Sequence, residues 1–159
     1  MNIFFLDMLP KKCAEMHCNK HVVKMIIEYA QLLSTAHHFA NTTNSGFYKP
    51  THVNHPCAVW VRQSVLNYCW LYELFVCLCK EYTKRYKKVH LTEIKLKNRL
   101  RTLPCNIIKK GIFTKFPQTM PDDTKNDSVV QAYRDCYCKY KKNFAIWPNM
   151  PPEWFEEIF

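Results

Sequence analysis

The sequence predicts an all-α fold, a single compact helical domain over residues 1–159 with a short extended N-terminal arm. Apolar residues recur at helical spacing along most of the chain. Only 2 glycines occur in 159 residues, too few for a turn-rich β architecture. A chain of this length suits one domain with a full core.

The opening MNIFFLDMLPKK lacks the basic start and cleavage site of a signal peptide, and its apolar run reads as a buried arm. Asp7 and Pro10 mark a helix start, and the first helix is expected over residues 10–39. The segment NTTNSGFYKPTHVNHP is a loop by composition, and Pro56 opens a second helix reaching to about Lys88. On that helix Val61, Val65, Tyr68, Leu71, Tyr72, Phe75, Val76, Cys79, Tyr82 and Tyr86 share one side, opposite Arg62, Glu73 and Lys80. A short basic helix is expected over 92–102, an irregular proline-marked stretch over 104–124, and a last long helix over 128–146 capped by Asp127. Trp147, Trp154 and Phe155 in the tail are expected to pack back onto the body. No run approaches the roughly 20 apolar residues of a membrane helix, so no membrane partner is expected.

The first helix carries the main functional signal. At about 100° per residue, His17, His21, Lys24, Glu28, Gln31 and Thr35 form one narrow polar line. Val22, Val23, Ile26, Ile27, Tyr29, Ala30, Leu32 and Leu33 cover the rest, which predicts a mostly buried helix whose polar line opens into a cleft or a satisfied internal network. Glu28 is the candidate general acid or base, Lys24 a candidate amine nucleophile, and His17 and His21 complete the catalytic set. A purely structural Lys24–Glu28 pair, four residues apart, is the alternative. His52, His55 and Arg62 are expected to close the site. His55, just ahead of a helix start, either helps to hold an anion or simply caps the helix.

Charge is concentrated. Residues 80–115 hold 12 Lys/Arg and 2 acids, and their balance of +10 equals the net charge of the whole chain. Such a segment suits a polyanion, and Lys87, Lys88, Arg99 and Arg101 are the expected phosphate contacts. Nucleic acid or a nucleotide is therefore the expected partner. If a base is extruded, Trp60 or Tyr29 is the candidate stacking ring.

Nine cysteines, an odd number without a signal peptide, point to reduced thiols and an intracellular, non-secreted protein of host cytoplasm or nucleus. Cys13, His17 and His21 have spacing that one helix can offer to a metal, but no metal motif accompanies them, and neither metal nor cofactor is expected. Two other function classes stay open: a non-catalytic protein that sequesters a nucleotide or small molecule, and a metal-dependent phosphodiesterase built on the histidines.

The stretches HCNKHVVKMIIEYAQLLSTAH, THVNHPCAVWVRQSVLNY and the closing PPEWF resemble a family of small phage and large-DNA-virus proteins. The layout is also similar to the pyrimidine-dimer DNA glycosylases of the endonuclease V type. That resemblance implies a compact all-α repair enzyme that binds damaged duplex DNA, flips a base and cleaves the glycosidic bond, hence a hydrolase-like role in DNA repair. Residues 14–25 correspond to the family's first active-site helix, HPCAVWVRQSVLNYCWLYELFVCLCKEYTKRY to its central helix, and PPEWFEEIF to its aromatic tail. The family's catalytic glutamate is expected near Lys24, with Glu28 one turn further on. Its nucleophile is the α-amine of a small residue exposed by removal of the initiator methionine. Here residue 2 is Asn2, whose bulk leaves Met1 in place. The expectation is therefore water attack assisted by Glu28 or an imine at Lys24, with the N-terminal amine taking no part.

Overall fold

The computed structural model describes residues 1–40, 46–105, 107 and 111–156; these are helical or irregular, with no strand among them. The helices in order are α1 (Pro10–Met16), α2 (Asn19–Phe39), α3 (Pro56–Gln63), α4 (Val65–Tyr86), α5 (Leu91–Leu100), α6 (Val129–Tyr140) and α7 (Glu153–Glu156), with a 3-10 turn at Asp122–Thr124 ahead of α6. Helix α4 packs on α1 and α2, α3 and α5 each bridge α2 and α4, and α7 closes on α6. None of the described helices is long and apolar enough to cross a membrane.

Two of the expected long helices are each split, for local reasons. The first breaks at His17 and Cys18, both extended. The His17 ring donates from Nδ1 to the Cys13 carbonyl at 2.7 Å, taking the acceptor that a continuous helix offers to the His17 amide. Other carbonyls at the end of α1 are satisfied from far along the chain. Arg85 donates to Glu15 O at 3.0 Å and to His17 O at 2.8 Å, and the Trp147 indole donates to Met16 O at 2.9 Å. The second helix breaks at Ser64, whose hydroxyl accepts from the Asn67 amide and caps α4. The Asn67 side chain then donates to the Trp60 carbonyl at 2.7 Å and closes α3. At the other end of the chain, α6 stops at Tyr140, short of the expected 146, and its cap is Ser128 instead of Asp127.

The arm forms part of the core. Ile3, Phe5 and Leu6 are completely buried. The Phe5 ring meets Phe116 at 3.9 Å, Trp70 at 5.0 Å, Trp60 at 5.4 Å and Tyr133 at 5.4 Å between centroids, so it joins α3, α4, α6 and the segment ahead of α6. Burial of each such side chain contributes about 1.5–3 kcal/mol. Polar contacts fix the arm's register as well. The Cys13 thiol donates to Phe4 O, Phe4 N–H donates to the Tyr29 hydroxyl oxygen, and Arg134 donates to Leu6 O.

Helix α2 is less enclosed than its sequence suggests. Val22 and Ile26 are buried, but Val23 and Ile27 are 40% and 39% exposed. They stand beside Lys24 and Glu28 on the helix, so the solvent-facing stripe is part apolar. The tail packs back as expected: Trp154 donates to Met16 Sδ, and the Trp147 and Phe155 rings lie 4.7 Å apart.

Candidate active site

The arm ends against α2. Asn2 N–H donates to Glu28 Oε2 at 3.2 Å, and the α-amine of Met1 stands 3.8 Å from the same oxygen. The other carboxylate oxygen faces Lys24 Nζ at 3.3 Å. The Met1 side chain is only 3% exposed, while the residue as a whole is half-buried. What solvent reaches of Met1 is therefore mainly its backbone.

Asn2 is held by its side chain. Its Oδ1 takes the Ile3 amide at 2.8 Å and the Thr119 hydroxyl at 2.5 Å, and its Nδ2 donates to Thr119 O at 3.3 Å. The Tyr133 hydroxyl stands 3.0 Å from Oδ1 and the Cys57 thiol 3.6 Å. Burial pushes the Cys57 thiol up to about 11, so at neutral pH it is a protonated donor and not a nucleophile. His55 lies at the same end of the site. Its Nδ1 accepts from the Cys57 amide, so it does cap α3 and carries its ring proton on Nε2. Burial lowers its pKa first, and the Met1 amine and His52 lower it further against the opposing pull of Glu28.

The other expected site residues are scattered. Lys24 is 63% exposed, at the solvent edge of the Glu28 pair. His52 is exposed, with a left-handed φ of 48°, and its ring bonds the Thr51 hydroxyl. Arg62 donates to Val53 O at 2.7 Å and lies over the Phe39 ring. Trp60 and Tyr29, the candidate stacking rings, are 2% and 0% exposed and belong to the core.

His17 and His21 turn inward. Because His17 Nδ1 donates to a carbonyl, Nε2 is the acceptor and takes the Tyr29 hydroxyl proton at 2.7 Å. Tyr29 in turn accepts from Phe4 N–H, so a buried chain of bonds runs from the end of α1 to the arm. His21 bonds the Tyr137 hydroxyl and stacks on Phe4 at 4.4 Å. His17 therefore stands off α2 with both ring nitrogens engaged, which dissolves the Cys13–His17–His21 constellation. No metal-holding cluster of His, Cys, Asp or Glu occurs among the described residues.

Burial lowers His17 to about 4, with Arg85 adding to the effect, and lowers His21 to about 3, helped by His17 and nearby lysines. Unfolded histidine titrates near 6.5, so below that pH the unfolded chain binds more protons than the fold. The stability these histidines contribute is complete above about 6.5 and is lost as pH falls toward 4 and 3, at about 1.4 kcal/mol per pH unit for each. Urea unfolding is accordingly expected to show a lower midpoint at pH 5 than at pH 7, and equal midpoints contradict neutral burial of the pair.

The basic segment divides in two. Lys87, Lys88, Lys95, Arg99, Arg101 and Lys115 are exposed, on the turn after α4, on α5 and beyond. Arg85 is instead a structural clasp, with its side chain 6% exposed on Glu81, and Lys97 pairs with Glu93 at 2.7 Å. Arg99 also lies against Gly46, whose φ of 101° and lack of a Cβ let the guanidinium approach. Lys109 and Lys110 fall outside the described residues.

The family model for pyrimidine dimer DNA glycosylase matches residues 1–94. The chain belongs to that family. The matched stretch carries Met1, Asn2, Glu28, His55 and Cys57, and the family brings with it a DNA glycosylase-like function on a DNA substrate. No curated protein and no solved structure matches the chain. Glu28 lies one turn beyond Lys24, the position expected for the family's catalytic glutamate; it is the acid beside the chain terminus, while Lys24 points to solvent. The sequence sets the N-terminal amine aside, whereas the buried arm brings it 3.8 Å from Glu28.

The sequence names Met1 and Asn2 only to set the N-terminal amine aside, and it does not single out Cys57, Thr119 or Tyr133. For Met1 and Asn2 a signal existed: a buried run at residues 3–6 constrains the two residues before it. Thr119 and Tyr133 meet Asn2 across 117 and 131 residues, and no local pattern marks them.

Proposed function

We propose that residues 1–159 form a single-domain base-excision enzyme of duplex DNA, in which a terminal amine attacks the sugar C1′ and Glu28 moves the protons. The carrying observation is the amine and the Asn2 amide gathered on one carboxylate oxygen, at 3.8 and 3.2 Å. The neutral amine forms the N–C1′ bond while the C1′–base bond breaks, and the electron pair leaves with the base, which takes up a proton. Glu28 is placed to accept the proton the amine gives up and to return one as the sugar ring opens to the imine. His55, whose proton sits on Nε2, is the donor for a phosphate or a sugar oxygen in this proposal. His52 and Arg62 flank it. Lys24 is a counter-ion at the rim of the site, and His17 and His21 hold the arm in register.

Lys87, Lys88, Arg99 and Arg101 hold backbone phosphates in this proposal, and the viral source and intracellular setting expected from the sequence go with it. The test is a duplex carrying a pyrimidine dimer or an abasic site. Base release or strand nicking is expected, with a protein–DNA adduct fixed by borohydride. Replacing the four cations together with glutamine should weaken binding of every sequence and reduce the slope of log K against log salt by about 3 to 4. Absence of affinity for duplex or single strands at low salt, together with absence of an adduct, rejects the enzyme and leaves nucleotide sequestration in its place.

A further inference from the structure

We propose that His52 and Lys87 mark the two ends of a duplex-binding track laid along α2, with Glu28 between them. The proposal rests on the duplex DNA reading above and gives it a direction and a length. Among the described residues, two that are not glycine take a left-handed backbone: His52 at φ 48° and Lys87 at φ 56°. That conformation crowds the Cβ of an L-residue, and glycine or asparagine usually occupies it. Lys87 sits at the C-cap of α4 and donates its amide to Thr83 O at 2.9 Å, a place where glycine is the common choice. His52 opens the tight turn before α3, with the His55 amide on its carbonyl at 2.8 Å. Both turns need the backbone shape, and neither needs the side chain it carries. The exposed Lys87 makes no ion pair among the described residues: of the two acids in the cleft beside it, Glu81 is held by Arg85 and Lys84, and Glu15 is not within pairing distance. The exposed His52 ring has its Nδ1 on the neighbouring Thr51 hydroxyl at 2.7 Å, which leaves Nε2 for a ligand. A strained backbone kept for the sake of an outward polar side chain is the mark of a contact residue.

The anchors of the two turns supply the direction and the length. The His52 turn hangs on α2 through Thr51, whose amide donates to Thr35 Oγ1 at 3.3 Å. Lys87 follows Tyr86, whose hydroxyl donates to Asn19 O at 3.3 Å. Asn19 and Thr35 are sixteen residues apart on α2, so the anchors are separated by about 24 Å along the helix axis. At 3.4 Å per base pair that length corresponds to about seven pairs of B-DNA. Between the anchors, α2 exposes Lys20 and Lys24 and carries Glu28. Donors and cations therefore recur from one end of the track to the other, which suits the phosphates of a duplex running beside α2.

Lys87→Gly and His52→Gly separate the backbone from the side chain. Each relieves the left-handed strain, so the free variant is expected to melt at the wild-type temperature or up to about 4 °C above it. Each is nonetheless expected to bind duplex more weakly. Lys87→Gly should weaken binding of every sequence alike and reduce the slope of log K against log salt by about 1. His52→Gly should cost about tenfold in affinity, the scale of one hydrogen bond to a charged group. Lys87→Arg keeps the charge and should bind as the wild type does. Anisotropy of fluorescein-labelled hairpin duplexes of increasing stem length reads both affinity and footprint, and wild-type affinity is expected to climb to a stem of about seven pairs and then level off. Wild-type affinity in either glycine variant overturns the proposal, because the side chain then has no contact to lose. A melting temperature below wild type overturns it as well, by giving the side chain a structural task. A plateau at about half the expected stem length, or at about twice it, overturns the placement along α2. Base release and borohydride trapping by the wild type stand apart from all of these outcomes, whereas a wild type that binds no duplex at low salt and traps none overturns the proposed function too.

Discussion

Glu28→Gln is expected to lower base release from a dimer-containing duplex by about 10²- to 10⁴-fold, the usual worth of a placed general acid–base group. Glutamine keeps the volume and retains an acceptor oxygen for the Asn2 amide, so the arm stays docked. It loses the ability to take and return a proton, and it loses the charge that holds the Met1 amine and Lys24. The stability effect is small by contrast. The Lys24 side chain is 63% exposed, so water screens the pair from the lysine side although Glu28 is 13% exposed, and the contact is worth about 1 kcal/mol, a shift of no more than about 4 °C in melting temperature for a domain of this size. Circular dichroism melts and a nicking assay on the same preparation separate the two effects. Lost activity with an unchanged melt places Glu28 in the chemistry. A large drop in melting temperature assigns it to the internal network of the arm.

Extending the chain by Gly-Ser ahead of Met1 is expected to reduce the borohydride-trapped adduct by at least about 10²-fold, the scale of effect that displacing a reacting atom by an ångström produces. The extension turns the Met1 amine into an amide, whose nitrogen lone pair is delocalised and forms no imine. It also carries the new amine several ångströms from Glu28. The added residues leave from the solvent-reachable backbone of Met1, so the buried side chains at residues 1–6 need not move. Duplex affinity, which the proposal assigns to the basic segment, should stay within about twofold. An extended protein that traps at the wild-type rate excludes the terminal amine and returns the nucleophile to Lys24.

Helical periodicity made the architecture legible, and it failed where a break depends on distant partners. Neither His17 nor Ser64 is a glycine or proline, and each interrupts an apolar pattern that continues on both sides. The break at His17 exists because Arg85 and Trp147 arrive to satisfy the exposed carbonyls, one from α4 and one from the tail. The polar line on α2 was visible, but its sense divided. Lys24 faces solvent beside Val23 and Ile27, Glu28 is covered by the arm, and His21 turns to Tyr137. Side-chain spacing gives an angle around a helix, and neighbours from elsewhere in the chain decide whether that angle faces solvent or protein. Glu28 could be singled out from its place on the line. The groups around it could not: the Met1 amine and the Asn2 amide come from the arm, and the partners that hold Asn2 come from α3, from the segment ahead of α6 and from α6 itself.

The docking of Phe5 among Trp60, Trp70, Phe116 and Tyr133 also fixes when the site can exist. The first residues to be synthesised are the last to be secured, since Leu6 awaits Arg134 and Asn2 awaits Tyr133. Closing contacts of such sequence separation is slow and comes late in folding. A partly unfolded chain therefore carries the basic helices before the arm is docked beside Glu28. On the proposed chemistry, completion of the fold acts as the latch, and a chain that met DNA too early would have nothing with which to cut it.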